Sequence, residues 1–149
     1  MMFSLLVVVA ICCFQLSLCT NSPCPCGWSK IEGNCYKFFV SQDKWDNARS
    51  TCLGQGGDLA LPTRQTNALI SKFARNGGSR QTWVGIFRRY EKRFINVEGR
   101  DQVYTNWNSG EPNNSGGNEN CVVMYTNTAR WNDASCSSNH DFVCEIKLW

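Results

Sequence analysis

Asn106-Trp107-Asn108-Ser109-Gly110-Glu111-Pro112-Asn113-Asn114-Ser115-Gly116-Gly117-Asn118-Glu119-Asn120 runs straight into Cys121 and shows no apolar period. Six asparagines, two glutamates and one proline stand in these positions. A loop this long without secondary structure of its own is either a solvated surface segment or a functional one. Its side chains are oxygen donors. Glu111 and Asn113 put a carboxylate and an amide carbonyl two residues apart around Pro112, and Glu119 adds a second carboxylate. Further on, Asn132-Asp133, after Trp131, add another amide and a third carboxylate. Ca²⁺ takes about 6–8 oxygen ligands and accepts carboxylates, amide carbonyls and backbone carbonyls. Five side chains with three negative charges suit that ion, provided the fold brings 111–119 beside 132–133. Cys121 and Cys136 sit just outside the two segments, and a disulfide between them would clamp both. Pro112 could hold its preceding peptide bond cis, a form nearly confined to X-Pro bonds.

Outward from the loop, the pattern is α+β, with helices early and short strands late. Cys35-Tyr36-Lys37-Phe38-Phe39-Val40 is aromatic and β-branched and reads as a strand. Ser41 or Asp43 can cap a helix whose apolar residues Trp45, Ala48, Cys52 and Leu53 recur at helical spacing, ended by Gly54, Gly56 and Gly57. Thr63, after Pro62, can cap a second helix through Ala68, Leu69, Ile70 and Phe73, stopped by Gly77-Gly78. Short strands follow at 83–86, 94–97, 103–104, 121–125 and 142–146.

The chain has 149 residues, enough for one domain with a real core. Charged residues make up 18% and the net charge is +3. The longest basic clusters are Arg88-Arg89 and Lys92-Arg93, too small for the basic stripe that nucleic acid needs. The single histidine, His140, excludes sites built on two or more histidines. Leu5 to Phe14 is an apolar run shorter than the about 20 residues a membrane span requires. It reads as the core of a signal peptide over residues 1–19, with Ser17 and Cys19 as the small residues before a cut at Thr20. The other reading is a buried N-terminal strand. Cleavage leaves one domain, 20–149, expected to be secreted, extracellular and not inserted in a membrane. It removes Cys12, Cys13 and Cys19 and keeps seven cysteines: Cys24, Cys26, Cys35, Cys52, Cys121, Cys136 and Cys144. In an oxidising compartment these read as a disulfide framework. Metal binding by Cys24-Pro25-Cys26 lacks a second pair at zinc spacing.

Singly, Glu-Pro-Asn is a turn and Trp-Asn-Asp a strand end. The combination is more specific. Cys24-Pro25-Cys26-Gly27-Trp28 precedes Cys35-Tyr36, and Trp83-Val84-Gly85-Ile86 follows. Glu111-Pro112-Asn113, Glu119 two before Cys121, Trp131-Asn132-Asp133 and a final Cys144 complete it. With these features the sequence resembles the C-type lectin domain family from Pro23 to Trp149. The resemblance implies that α+β fold, with disulfides Cys24–Cys35, Cys52–Cys144 and Cys121–Cys136. It also implies that Glu111, Asn113, Glu119, Asn132 and Asp133 hold a calcium ion and bind carbohydrate through it. Neighbouring sugar hydroxyls would then donate to Glu111 or Glu119 and accept from the amides of Asn113 or Asn132, so that each hydroxyl's hydrogen-bonding capacity is used.

The Glu-Pro-Asn order resembles the mannose-type members, which take equatorial 3- and 4-hydroxyls, as in mannose and N-acetylglucosamine, and fucose by an equivalent pair. Galactose-type members resemble Gln-Pro-Asp, often with a stacking aromatic. Here Ser115-Gly116-Gly117 offers no ring, and Trp107 is expected beneath the loop. Relatives that bind a second calcium place acidic residues after the two motifs. Asn114 and Asn120 stand there, with Arg88-Arg89 at the earlier acidic position, which implies one calcium. An aromatic usual at the Asn96 position is also missing.

His140-Asp141 raises an enzyme alternative, but the glycine-rich calcium loop of a secreted phospholipase is absent. A two-carboxylate glycosidase has no marked acid, so no enzyme is expected, and His140 is expected in a surface loop. The remaining alternatives are galactose binding through an atypical loop and a lectin-like domain that binds proteins or ice. If Cys24 pairs with Cys35, Cys26 is left over, and an interchain Cys26–Cys26 homodimer is expected; the other readings are a free or capped thiol, or Cys26 replacing Cys24 as the partner of Cys35. Asn113-Asn114-Ser115 is an N-glycosylation sequon, and a glycan on Asn113 would occupy a proposed ligand.

Overall fold

The structure, a computed structural model, describes residues 22–90 and 93–149. The signal segment expected over 1–19 lies outside the described residues. The aromatic run 35–40 lies inside β2 (Asn34–Asp43), against which β1 (Ser29–Ile31) folds back. Helix α1 (Trp45–Gly54) starts one residue after β2 ends. Neither Ser41 nor Asp43 caps it, because both still belong to the strand. The cap position is Lys44, while the Asp43 carboxylate accepts the Lys44 N–H and the Asn47 side-chain amide, each at 2.8 Å. Trp45, Ala48 and Cys52 of α1 are buried as their spacing implies, but Leu53 faces out, 54% exposed. Helix α2 (Asn67–Asn76) begins four residues beyond Thr63. The hydroxyls of Thr63 and Thr66 lie 3.0 Å apart and each accepts the other residue's N–H, which closes a turn before the helix.

The remaining strands are β3 (Asp58–Leu59), β4 (Gln81–Tyr90), β5 (Arg93–Asn96), β6 (Cys121–Tyr125), β7 (Trp131–Ala134) and β8 (His140–Ile146). They join in the order β1-β2-β8-β4-β6-β7, with β3 on β8 and β5 on β4. Pairing is antiparallel except between β4 and β8, which run parallel with Trp83 opposite Phe142. Three expectations need correction. Val103-Tyr104 forms no strand, and Val103 is 93% exposed. Trp131-Asn132-Asp133 is a strand in its own right. His140 opens β8 rather than sitting in a loop, with its ring edge-on to Trp83 at 4.6 Å between centroids, and this burial lowers its pKa.

The two helices serve two clusters of core side chains. Trp45, Ala48 and Cys52 of α1 pack with Trp83, Val123 and Phe142. Ile70 and Ala74 of α2 pack with Val84, Val122, Met124 and Trp131. Three disulfides join Cys24 to Cys35, Cys52 to Cys144 and Cys121 to Cys136. Cys26 is disulfide-bonded as well, so no thiol is left over among the described cysteines. Asn96, at the position where the aromatic usual in the resemblance is missing, is buried, and its side-chain oxygen accepts the N–H groups of Glu98 and Arg100 at 3.1 Å, closing the turn after β5.

The central strand β4 is buried on both faces over Trp83-Val84-Gly85-Ile86, so its apolar residues run on without alternation. Gly85 has no room for a side chain. A Cβ there would stand 2.7 Å from the Leu59 carbonyl oxygen and 2.9 Å from a Val97 methyl. Gly85→Ala should therefore cost about 1–3 kcal/mol by overpacking. Urea unfolding should show a lower midpoint with an unchanged slope.

Candidate functional site

The loop that ends in Asn120 cannot bury a core of its own and is hung on β7. The Asn108 N–H donates to the Trp131 carbonyl at 2.8 Å and the Trp131 N–H to the Asn106 carbonyl at 2.9 Å. The Trp131 side chain, with no exposed surface, meets Trp107 and Tyr104 edge-on, and Trp107 also packs on Phe94. Trp107 lies beneath the loop, as its place before the motif suggested. The Trp131 indole N–H donates to Asn67 Oδ1 at 2.8 Å, which ties α2 to the same point. The pairing of 106–108 with Trp131 delivers Glu111 and Asn113 next to Asp133.

All five sequence-predicted side chains fall in this one region. The Glu111–Pro112 peptide bond is cis. Glu111 Oε2 accepts the Asn113 N–H at 3.1 Å and Oε1 the Asn113 side-chain amide at 3.0 Å. Asp133 Oδ1 accepts the Asn113 N–H at 3.0 Å and Oδ2 the Asn114 N–H at 2.9 Å. The Ser115 N–H is shared between Asn113 Oδ1 at 2.8 Å and Glu119 Oε2 at 2.7 Å. Asn132, next to Asp133, turns its amide onto the Asp133 backbone carbonyl at 2.7 Å. Burial grades across the group: Asp133 is fully enclosed, Glu111, Glu119 and Asn132 are half-buried, and Asn113 is exposed.

The charges explain the electrostatics. Burial, together with the neighbouring Asp133 and Glu119 carboxylates, raises the Glu111 carboxyl above its ordinary range, against the lowering effect of the Asn113 N–H. Burial and like charge both disfavour the ionised carboxylate. Among the described residues no three His, Cys, Asp or Glu side chains converge as a metal-binding group by themselves. A metal here would need the amide and backbone oxygens as well, and that mixed oxygen set fits a hard cation such as Ca²⁺ rather than Zn²⁺.

Two features were not assigned from the sequence. Arg88, on β4, donates from Nη2 to Asp133 Oδ2 at 2.7 Å. It had registered only as a missing acidic residue. Asn114 adopts a left-handed backbone (φ 48°), and its side-chain oxygen accepts the Glu119 N–H at 3.0 Å, so the residue taken as a lost ligand shapes the turn instead. The left-handed region is one that asparagine tolerates better than most residues. A separate groove of about 790 Å³, lined by Arg75, Arg80, Tyr125 and His140 among others, includes none of the five.

Residues 41–146 match the lectin C-type domain. A C-type lectin of the snake Cerberus rynchops is 33% identical over 142 residues, covering 90% of this chain and 90% of its own length. The mouse protein C-type lectin domain family 4 member G is 37% identical over 129 residues, 82% of this chain but only 42% of that protein. The cow CD23 carbohydrate-recognition domain superposes with a TM-score of 0.76 at 33% identity, covering 85% of this chain and 97% of that one. With the same fold, the same domain match over most of its length and relatives at this identity, the chain belongs to the C-type lectin domain family.

Proposed function

We propose that this chain is a secreted, calcium-dependent carbohydrate-binding protein that prefers mannose-type sugars. The observation that carries the reading is the gathering of Glu111, Glu119 and Asp133, alternating with the amides of Asn113 and Asn132, in one region where burial and the neighbouring carboxylates hold the Glu111 carboxyl above its ordinary range. These five side chains would hold one Ca²⁺. The ion, when bound, supplies coordination positions for sugar hydroxyls. The protein's own groups then read the hydroxyls' polarity. Each of the two amide NH₂ groups spends one hydrogen inside the site, on Glu111 or on the Asp133 carbonyl, and keeps a second for a sugar oxygen. Glu111 and Glu119 are the acceptors for hydroxyl protons. The cow CD23 domain, similar in sequence and fold, was solved in the presence of a GlcNAc2Man3 oligosaccharide, which supports the mannose-type reading. No helix among the described residues is long and apolar enough to cross a membrane. No catalytic role is proposed.

Binding to mannose-agarose should require Ca²⁺ and be lost in EDTA, and calorimetry should give one calcium per chain. Retention in EDTA would sink the reading. The pH dependence follows from Glu111. Because its carboxyl is raised, it takes up a proton at a higher pH than an ordinary glutamate, and the protonated form neither ligates nor accepts from a hydroxyl. Proton and calcium compete, so calcium affinity should fall as pH drops from neutrality toward the carboxylate range, beginning at a higher pH than an ordinary glutamate would give. Calcium titrations across that range check the sign.

Mannose, fucose or N-acetylglucosamine should elute the protein better than galactose. Glu111→Gln with Asn113→Asp exchanges acceptor for donor at both places and should swing the preference toward galactose by about tenfold or more. Competition elution of both proteins measures it. A wild type eluted by galactose alone would favour an atypical loop geometry, and one bound by no sugar would favour a protein ligand.

A further inference from the structure

Asp133 is a carboxylate with no exposed side-chain surface. Such a charge is tolerated only when paired and hydrogen-bonded. Its cation is Arg88, itself 10% exposed. The guanidinium is gripped on three sides. Nη2 donates to Asp133 Oδ2 at 2.7 Å, Nε donates to the Glu119 backbone carbonyl at 3.3 Å, and the plane lies over the Phe94 ring at 4.6 Å. Below it, the Arg88 N–H donates to the Asn120 carbonyl at 2.7 Å. Phe94 stands opposite Arg88 in the β4–β5 ladder and packs in turn on Trp107. One side chain therefore touches the Glu119 end of the loop's binding segment directly and reaches the other end through Asp133. It meets Asp133, on which the Asn113 and Asn114 N–H groups rest, and it meets the backbone around Glu119.

We infer that Arg88 is the resident cation of this loop, a positioning residue that holds 111–120 in the binding arrangement before any divalent ion arrives. The inference rests on the calcium reading only for what the arrangement is for; the ordering itself needs no metal. The planar fork explains why arginine serves. A lysine can supply the charge but cannot bond Asp133 and the Glu119 carbonyl at once while stacking on a ring.

The test is amide hydrogen exchange of the intact protein, with and without calcium, followed at Asn113, Asn114, Ser115 and Glu119. In EDTA the wild-type loop amides should already be protected, and calcium should slow them further only about threefold. In Arg88→Met they should exchange about tenfold or more faster in EDTA, and calcium should restore much of the protection. Arg88→Lys should fall between. Strands β2 and β8 report whether the fold is intact; a merely structural loss would speed them too and would not be repaired by calcium. A wild-type loop that exchanges in EDTA as fast as in Arg88→Met overturns the inference, as does an Arg88→Met loop that stays protected in EDTA. Should Arg88→Met fail to fold, the wild-type and Arg88→Lys measurements in EDTA still decide between the same outcomes. Protection in EDTA that depends on Arg88, with no heat and no change on adding calcium, supports the role of Arg88 and separately removes the calcium reading.

Discussion

The arrangement of the candidate site depends on one buried carboxylate. Asp133 cannot be hydrated, so the fold must surround it with donors, and those it uses come from two separate pieces of chain: the Arg88 guanidinium of β4 and the N–H groups of Asn113 and Asn114. A surface ion pair would fix little, because water competes for both partners. Enclosure changes the balance. Each donor that left would strand a charge away from water, so the strand, the loop and the arginine are ordered together.

Asp133 can do this because of strand alternation. Successive side chains of β7 point to opposite faces, so Trp131 and Asp133 share a side, and both are buried. Trp131 receives Trp107 and Tyr104, which gives a polar loop an apolar footing, and Asp133 receives the loop's backbone two residues further on. The disulfide Cys121–Cys136 then closes the two segments just outside that footing. A sequence with no apolar period over 106–120 thus gains a defined shape from its neighbours rather than from itself.

The parts legible in the sequence were those with a covalent or periodic signature. The aromatic run of β2, the spacing of Trp45, Ala48 and Cys52, and the position of Trp107 ahead of the motif all led to the right place. What failed depended on tertiary competition. Asp43 looked like a cap but was held in a strand that ran on to meet β8. Leu53 continued a helical pattern past the point where the core stops, and Val103 looked like a strand residue in a stretch with no partner to pair with. His140 was expected in a surface loop, but the return of β8 laid it against Trp83. Arg88 is the instructive miss. Its charge counted against an acidic position, and nothing local to Arg88 shows that its partner lies 45 residues on.

Charge accounting links Arg88 to the number of ions proposed. Glu111, Glu119 and Asp133 bring three negative charges into one region, and Arg88 returns one positive charge to it. Two negative charges remain uncompensated, the load that one divalent cation would neutralise. A second ion would bring excess positive charge into a region where Arg88 already sits against Asp133, and it would find the side-chain oxygen of Asn114 committed to the Glu119 N–H. An arginine at this place supplies a cation that is tethered to the chain rather than exchangeable. That arrangement suits a site whose deepest carboxylate is enclosed, because a tethered guanidinium has no dissociation step and leaves the exposed Asn113 and the half-buried Glu111 as the part of the loop open to the proposed calcium ion.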